Sequence, residues 1–198
     1  MEPAPGRIAS TRTGEDDDLV LAAQGGDQAA FGEIVRRYQR SIYRVAYGLT
    51  RNPSDADDLA QEAFVRAYGA IGRFRVGEPL YPWLSRIVVN LAYSLFRRRR
   101  RRPETPLEPM LEAGMQWAGT EDPAEDAERS ERDERIESAF AELKEEHRAV
   151  LVLRVMEGMS YEQIAESLSV PIGTVMSRLS RARAELKKRL AAKTGEIP

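Results

Sequence analysis

Hydrophobic positions along this chain recur almost everywhere at steps of three and four, the spacing of an amphipathic helix. A short helix is predicted over Asp17 to Gln24, stopped by Gly25-Gly26. Asp27 can then cap a long helix whose inner face reads Phe31, Ile34, Val35, Tyr38, Ile42, Val45 and Leu49, ending at Asn52-Pro53. Ser54 is the expected cap of the next helix, with Leu59, Ala63, Tyr68 and Ile71 inward. A loop over 72–82, GRFRVGEPLYP, leads to a helix from Trp83 through Leu84, Ile87, Val88, Leu91 and Leu95 into the arginine run Arg97 to Arg102. Order resumes after a long aperiodic stretch with Ile136, Phe140, Leu143, Val150, Leu151 and Val155, a helix that Gly158 terminates.

The last segment is the most specific. Ser160 and Gln163 form a capping box, Ile164, Ala165 and Leu168 mark a buried side, and Ser169-Val170-Pro171 breaks the pattern. Proline suits the first turn of a new helix, so a second helix is expected from near Pro171. Its apolar stripe is Ile172, Val175, Leu179, Ala182, Leu186 and Leu190. The opposite face carries Thr174, Ser177 and Arg181, with Arg178 and Arg183 on its shoulders. Hydroxyls beside guanidinium forks suit a DNA major groove, where Arg reads guanine bidentately and Ser or Thr serves either base. A basic helix can also be a solvated face, a membrane binder or a calmodulin-like target. Residues 173–193 hold seven Lys or Arg against Glu185 alone, and a capped helix and turn in front favour DNA.

Charge sharpens the picture. The whole chain has 198 residues and a net charge of -2, but its layout is uneven. Between the two basic poles, Glu104 to Glu137 holds twelve acids against three arginines. The expected organisation is therefore all-α: a disordered tail over 1–16, a helical domain over 17–102, a flexible acidic linker over 103–132 and a second small helical domain over 133–192 that carries the helix-turn-helix. With no cysteine, disulfides and thiolate metal sites are excluded, and no cofactor or metal is expected. The single histidine, His147, sits in an apolar-periodic helix and reads as structural. No phosphate loop, activated nucleophile or paired catalytic carboxylates occur, so an enzyme is not expected. No apolar run approaches the ~20 residues of a membrane span, and a cytoplasmic protein is expected.

Two more features call for partners. Acids in a first turn favour the helix dipole, which accounts for Asp55 and Asp57, but Asp58, Gln61 and Glu62 come later and point to a protein-binding face. In the 72–82 loop, aromatics interleaved with Arg are what a single-stranded nucleic-acid site requires. Phe74 is either a base-stacking group or a core plug, and Trp83 reads as core.

Four motifs in order, GDQAAFGEIVRRYQ from Gly26, DLAQEAFVRAY (58–68), FRVGEPLYPWLSRIVVN (74–90) and SYEQIAESLSVPIGTVMSRLSRAR (160–183), make the chain resemble the extracytoplasmic-function (ECF) group of bacterial sigma-70 factors. The resemblance runs from about Asp17 to Leu190. It implies binding to core RNA polymerase through the beta-prime clamp, at Asp58, Gln61 and Glu62, and through the beta subunit. It implies capture of the melted -10 strand by the loop with Phe74, Arg75 and Leu80 and by Asn90, with Arg97 and Arg98 on the backbone. The duplex -35 element falls to Thr174, Ser177, Arg178, Arg181 and Arg183, and an anti-sigma factor is implied as a further partner. Leu80, where the family commonly has Phe, and Pro82 and Ser94 depart from the pattern near the -10 site. Met176 and Ser180 depart from it on the recognition helix. The rival expectation is a dimeric regulator with a sensing domain and a palindromic operator, which has no use for an acidic docking helix followed by an Arg-aromatic loop.

Overall fold

A computed structural model describes residues 13–101 and 133–194, and the expected tail up to residue 12, Arg102 and the expected linker over 103–132 lie outside the described residues. The described residues are helical, with no strand among them. Helix α1 runs Thr13–Gln24, starting inside the stretch expected to be disordered. It ends where Gly26 takes φ +94°, a left-handed conformation that glycine adopts without strain.

Asp27 caps α2 (Gln28–Thr50), its carboxylate accepting from the N–H of Ala29 at 2.8 Å and of Ala30 at 3.2 Å. The expected inner face is buried from Phe31 to Leu49, with Val35 half-buried at its edge. Arg51 ends the helix in the left-handed region, donating its N–H to the Tyr47 carbonyl. The cap of α3 (Pro53–Ala70) is Asn52, not Ser54, because Pro53 takes the first helical position and the cap must precede it. Asn52 Oδ1 accepts from Asp55 N–H at 2.9 Å. Tyr68, expected inward, is 46% exposed and meets Phe31 edge-on at 5.0 Å.

A 3-10 turn (Ile71–Arg73) leads into a loop that α1 pins. Gln24 Nε2 donates to the carbonyls of Ile71 and Phe74 at 2.9 and 2.7 Å, and Asp17 Oδ1 accepts from Gly77 N–H at 3.0 Å. Helix α4 (Leu80–Arg101) begins three residues before Trp83, since Pro82 lies in its first turn, where a missing N–H costs nothing.

The helix expected from Ile136 to Val155 is interrupted. Helix α5 spans 133–141, α6 spans Glu145–Leu151, and a π turn follows over Val152–Met156. Glu157 N–H bonds to Val152 O, five residues back, which widens the turn and shifts its phase. Val155 is consequently 68% exposed, and Ile136 is 41% exposed. Gly158 ends the segment at φ +67°.

Helices α7 (Tyr161–Leu168) and α8 (Ile172–Thr194) form the helix-turn-helix, and both bonds of the expected capping box are present. Buried residues of the two halves form one hydrophobic cluster: α4 packs on α7, and α2 packs on α6 and the π turn. Two small helical domains were expected, and the described residues fall into two helical halves. Their buried faces join in one core, where α6, α7 and the π turn cover the apolar flanks of α2 and α4.

Candidate nucleic-acid and partner interfaces

Helix α3 buries Ala56, Leu59, Ala60, Ala63, Phe64 and Ala67 against α2 and α4. Its outer side is then fixed by helical geometry: Asp58, Gln61 and Glu62 are exposed on one stripe. Val65, 67% exposed, and Tyr68 extend that stripe at i+7 and i+10 from Asp58. Sequence reasoning took Tyr68 as core and passed over Val65. Their i, i+3, i+4, i+7 relation to the unexplained acids was the available signal. Asp55 is occupied elsewhere, accepting both guanidinium nitrogens of Arg99 at 2.7 and 2.8 Å. Glu62 holds Arg66 Nε at 2.7 Å along the same helix. The stripe thus combines carboxylates and apolar area, suited to a basic and apolar protein groove.

The loop after α3 divides its residues between two tasks. Phe74 is buried, its ring 4.9 Å from that of Trp83, and Leu80 is buried at the start of α4. Arg75 is 84% exposed, 3.8 Å from Glu78. Asn90 lies exposed on α4, and its carbonyl accepts from Ser94 Oγ at 2.8 Å. Ser94 Oγ in turn accepts from Arg97 at 2.9 Å.

The arginine run is split by its partners. Arg99 turns to Asp55 and Arg100 to Glu145 at 2.9 Å, while Ser94, Arg97, Arg98 and Arg101 line an open recess on the remaining face of α4. Three guanidinium groups around one recess form a field suited to phosphate oxygens.

On α8, Val175, Leu179 and Ala182 are buried, while Leu186 and Leu190 are half-buried. Ile172, expected in the apolar stripe, stands in the first turn and is 43% exposed. Ser177, Arg181 and Arg183 are exposed, and Thr174 is half-buried, its carbonyl accepting from Ser177 Oγ at 3.0 Å. Arg178 turns inward, 3.7 Å from Glu146 and beside Tyr93 of α4. Burial pushes the Tyr93 phenol up to about 12, with the Arg178 charge opposing that rise. The outermost residues include Gly173, Met176 and Ser180, none of them charged, and Met176 is 54% exposed. The helix-turn-helix therefore presents a small, partly apolar centre with cations at its flanks.

His147 has a structural place: its Nδ1 lies 2.7 Å from Glu185 Oε2, joining α6 to α8. Hydrogen bonds from Arg189 and His147 hold the Glu185 carboxyl below the usual carboxylate range. Among the described residues no cluster of His, Cys, Asp or Glu could hold a metal, and no helix is long and apolar enough to cross a membrane.

Known families share this arrangement. Residues 34–102 match the sigma-70 region 2 model and residues 133–186 the sigma-70 region 4 model. The RNA polymerase sigma-H factor of Pseudomonas aeruginosa is 36% identical over 89% of this chain and 94% of its own length. The ECF RNA polymerase sigma-E factor of Escherichia coli is 37% identical over 85% and 90%. Among solved structures, CnrH in complex with the cytosolic domain of CnrY matches with a TM-score of 0.66 at 30% identity, covering 89% of this chain and 97% of that one. The sigma factor RpoE of Bartonella quintana, solved with the anti-sigma factor NepR, matches with a TM-score of 0.65 at 26% identity, covering 81% and 96%. The fold and the two matched regions are those of a transcription initiation factor. The chain belongs to the ECF group of sigma-70 RNA polymerase sigma factors.

Proposed function

We propose that the chain binds core RNA polymerase, reads the -35 and -10 promoter elements, assists melting at the -10 element and so directs transcription initiation. The observation that carries this reading is the presence, in one chain, of an open acidic-apolar stripe on α3 and a capped helix-turn-helix whose second helix is basic. The stripe at Asp58, Gln61, Glu62 and Val65 docks on the beta-prime clamp. Ser177, Arg181 and Arg183 engage the -35 duplex together with Thr174, and Arg178 joins them once released from Glu146. Arg75 and Asn90 meet the opened -10 strand, and Arg97 and Arg98 hold its phosphates. Phe74 and Leu80 are buried, so stacking of a base on Phe74 requires the ring to leave Trp83; in the present arrangement both residues shape the loop from beneath.

The chain acts by binding rather than catalysis, in the cytoplasm where polymerase works. An anti-sigma factor controls it, a reading supported by similarity to CnrH and to the Bartonella factor, both solved with protein partners. The test is the double substitution Asp58→Arg with Glu62→Arg, which reverses the stripe's charge on an exposed helix face. Loss of co-purification with core polymerase at unchanged helicity is expected. Undiminished co-purification contradicts the docking assignment.

A further inference from the structure

Asp16, Asp17 and Asp18 follow one another in α1, and a helical step of about 100° per residue gives them different surroundings. Asp16, 7% exposed, points into the fold and accepts from the Tyr38 hydroxyl at 2.5 Å and from Arg37 Nη1 at 3.2 Å. Val20 and Ala23 are buried as well, so α1 is fastened to α2 along its length. Asp18 faces solvent. Asp17 lies past the first turn, where the helix dipole no longer accounts for an acid. Its Oδ1 accepts from Gly77 N–H at 3.0 Å, 60 positions along the chain. Two turns further on, Gln24 Nε2 donates to both Ile71 O and Phe74 O, so the two hydrogens of its amide are spent on one loop.

These bonds fall on both sides of Arg75. Before it, Gln24 holds the carbonyls of Ile71 and Phe74, and Phe74 N–H donates to Ile71 O at 2.9 Å. After it, Asp17 holds Gly77, and Arg75 O accepts from Glu78 N–H at 3.2 Å across a tight turn. Gly77 takes φ +90° there, a conformation open to glycine and strained for other residues. The backbone that carries Arg75 is therefore tied to α1 at two places, while the Arg75 side chain remains 84% exposed. An untied loop loses backbone entropy when it grips a strand. A tied loop has lost it already, which is the advantage of a site organised in advance.

We propose that α1 is a brace for this loop: Asp17 and Gln24 are positioning residues that hold the 74–78 turn in its strand-binding shape, so that Arg75 meets the opened -10 strand without first ordering its backbone. The proposal deepens the -10 reading above and rests on it. The brace inverts the usual effect of charge. A surface carboxylate near a strand repels its phosphates, and removing such a group strengthens binding. Asp17 as a tie to Gly77 does the opposite, and its removal weakens binding. Asp17→Asn separates the two effects, because the amide oxygen still accepts from Gly77 N–H although the charge is gone.

The test joins the full-length protein to core polymerase on a duplex fragment carrying a start site that depends on it. Permanganate oxidation of unpaired thymines reads opening, normalised to the holoenzyme formed. Asp17→Ala should lower opening about fivefold, the worth of one hydrogen bond. Gln24→Met keeps the volume and loses both donors, and its loss should be roughly tenfold. Asp17→Asn should open the fragment at least as well as the parent. In the free proteins, exchange of the Gly77 amide, followed by NMR, should quicken in Asp17→Ala and not in Asp17→Asn. The Asp17 bond is exposed, so its two variants decide the matter even where Gln24→Met disturbs packing. Opening by Asp17→Ala equal to or above the parent overturns the brace, as does a fall in Asp17→Asn as large as that in Asp17→Ala. Unchanged Gly77 exchange in Asp17→Ala overturns it too, with no DNA present. If the parent holoenzyme opens no fragment, the promoter reading fails and the proposal with it; if the parent and Asp17→Ala open equally, the brace alone fails.

Discussion

Truncating the two members of the Arg44–Glu157 pair should have unequal costs, and the inequality follows from their surroundings. Glu157 is fully enclosed and accepts three short hydrogen bonds, whereas 35% of the Arg44 side chain is exposed and its Nη2 also reaches Ser41 Oγ at 3.1 Å. Arg44→Ala leaves an enclosed carboxylate with only the Tyr81 hydroxyl, and an uncompensated buried charge costs about 3–5 kcal/mol. Glu157→Ala leaves a guanidinium that can turn to water, so its loss is that of the charge-assisted bonds, about 1.5–3 kcal/mol. Replacing both, Arg44→Met with Glu157→Leu, removes every stranded charge and should fall within about 1 kcal/mol of the parent. The resulting coupling amounts to several kcal/mol, far outside additivity. Urea unfolding followed by far-UV circular dichroism reads these differences. Equal costs for the two single variants, or an additive double variant, would refute the reasoning.

Other consequences are smaller. The Tyr93 hydroxyl is buried without a hydrogen-bond partner, so Tyr93→Phe should stabilise the protein by about 1 kcal/mol in thermal melts. Burial raises the phenol from its usual 10 to about 12, which favours the neutral form in the fold. Its contribution is complete below about pH 10 and lost as pH rises through about 12, and the Phe variant should lack that part of the alkaline loss. Ser160→Ala removes the acceptor for Gln163 N–H at 3.2 Å and should cost about 1 kcal/mol, with weaker binding to an upstream-element duplex in fluorescence anisotropy. Met176, exposed on the outer face of α8, can contact a thymine methyl. Uracil in place of thymine in that duplex should then weaken binding several-fold for the parent and not for Met176→Ala, and an undiminished difference in the variant would contradict the contact.

Local signals predicted the local structure well. The capping box at Ser160 and Gln163, the Asp27 cap and the inner face of α2 were all readable, because each depends on residues within one or two turns. Where two local signals competed, the stronger constraint decided: Pro53 fixed the start of α3 and moved the cap from Ser54 to Asn52. Val155 followed a correct helical period to the wrong face because a π turn changes the phase, and no residue in VLRVM announces one. The contact between the two halves, where Glu157 meets Arg44 and Gly48 faces Val152, was hidden for a different reason. Glu157 reads as a solvated acid before a helix stop and Gly48 as a weak point in a helix, and only partners 113 and 104 positions away give them meaning. Among the surface groups, the acids of α3 were readable because they exceeded what a helix dipole explains. Val65 was not, since a lone exposed valine has no such excess.

The most direct test of the account is transcription of a pool of genomic fragments by core polymerase, with and without this protein, with transcript 5′ ends mapped. New start sites are expected that depend on the protein and share two sequence blocks upstream, about two helical turns apart. No protein-dependent starts, or tight binding of the free protein to a palindromic operator without polymerase, would contradict it.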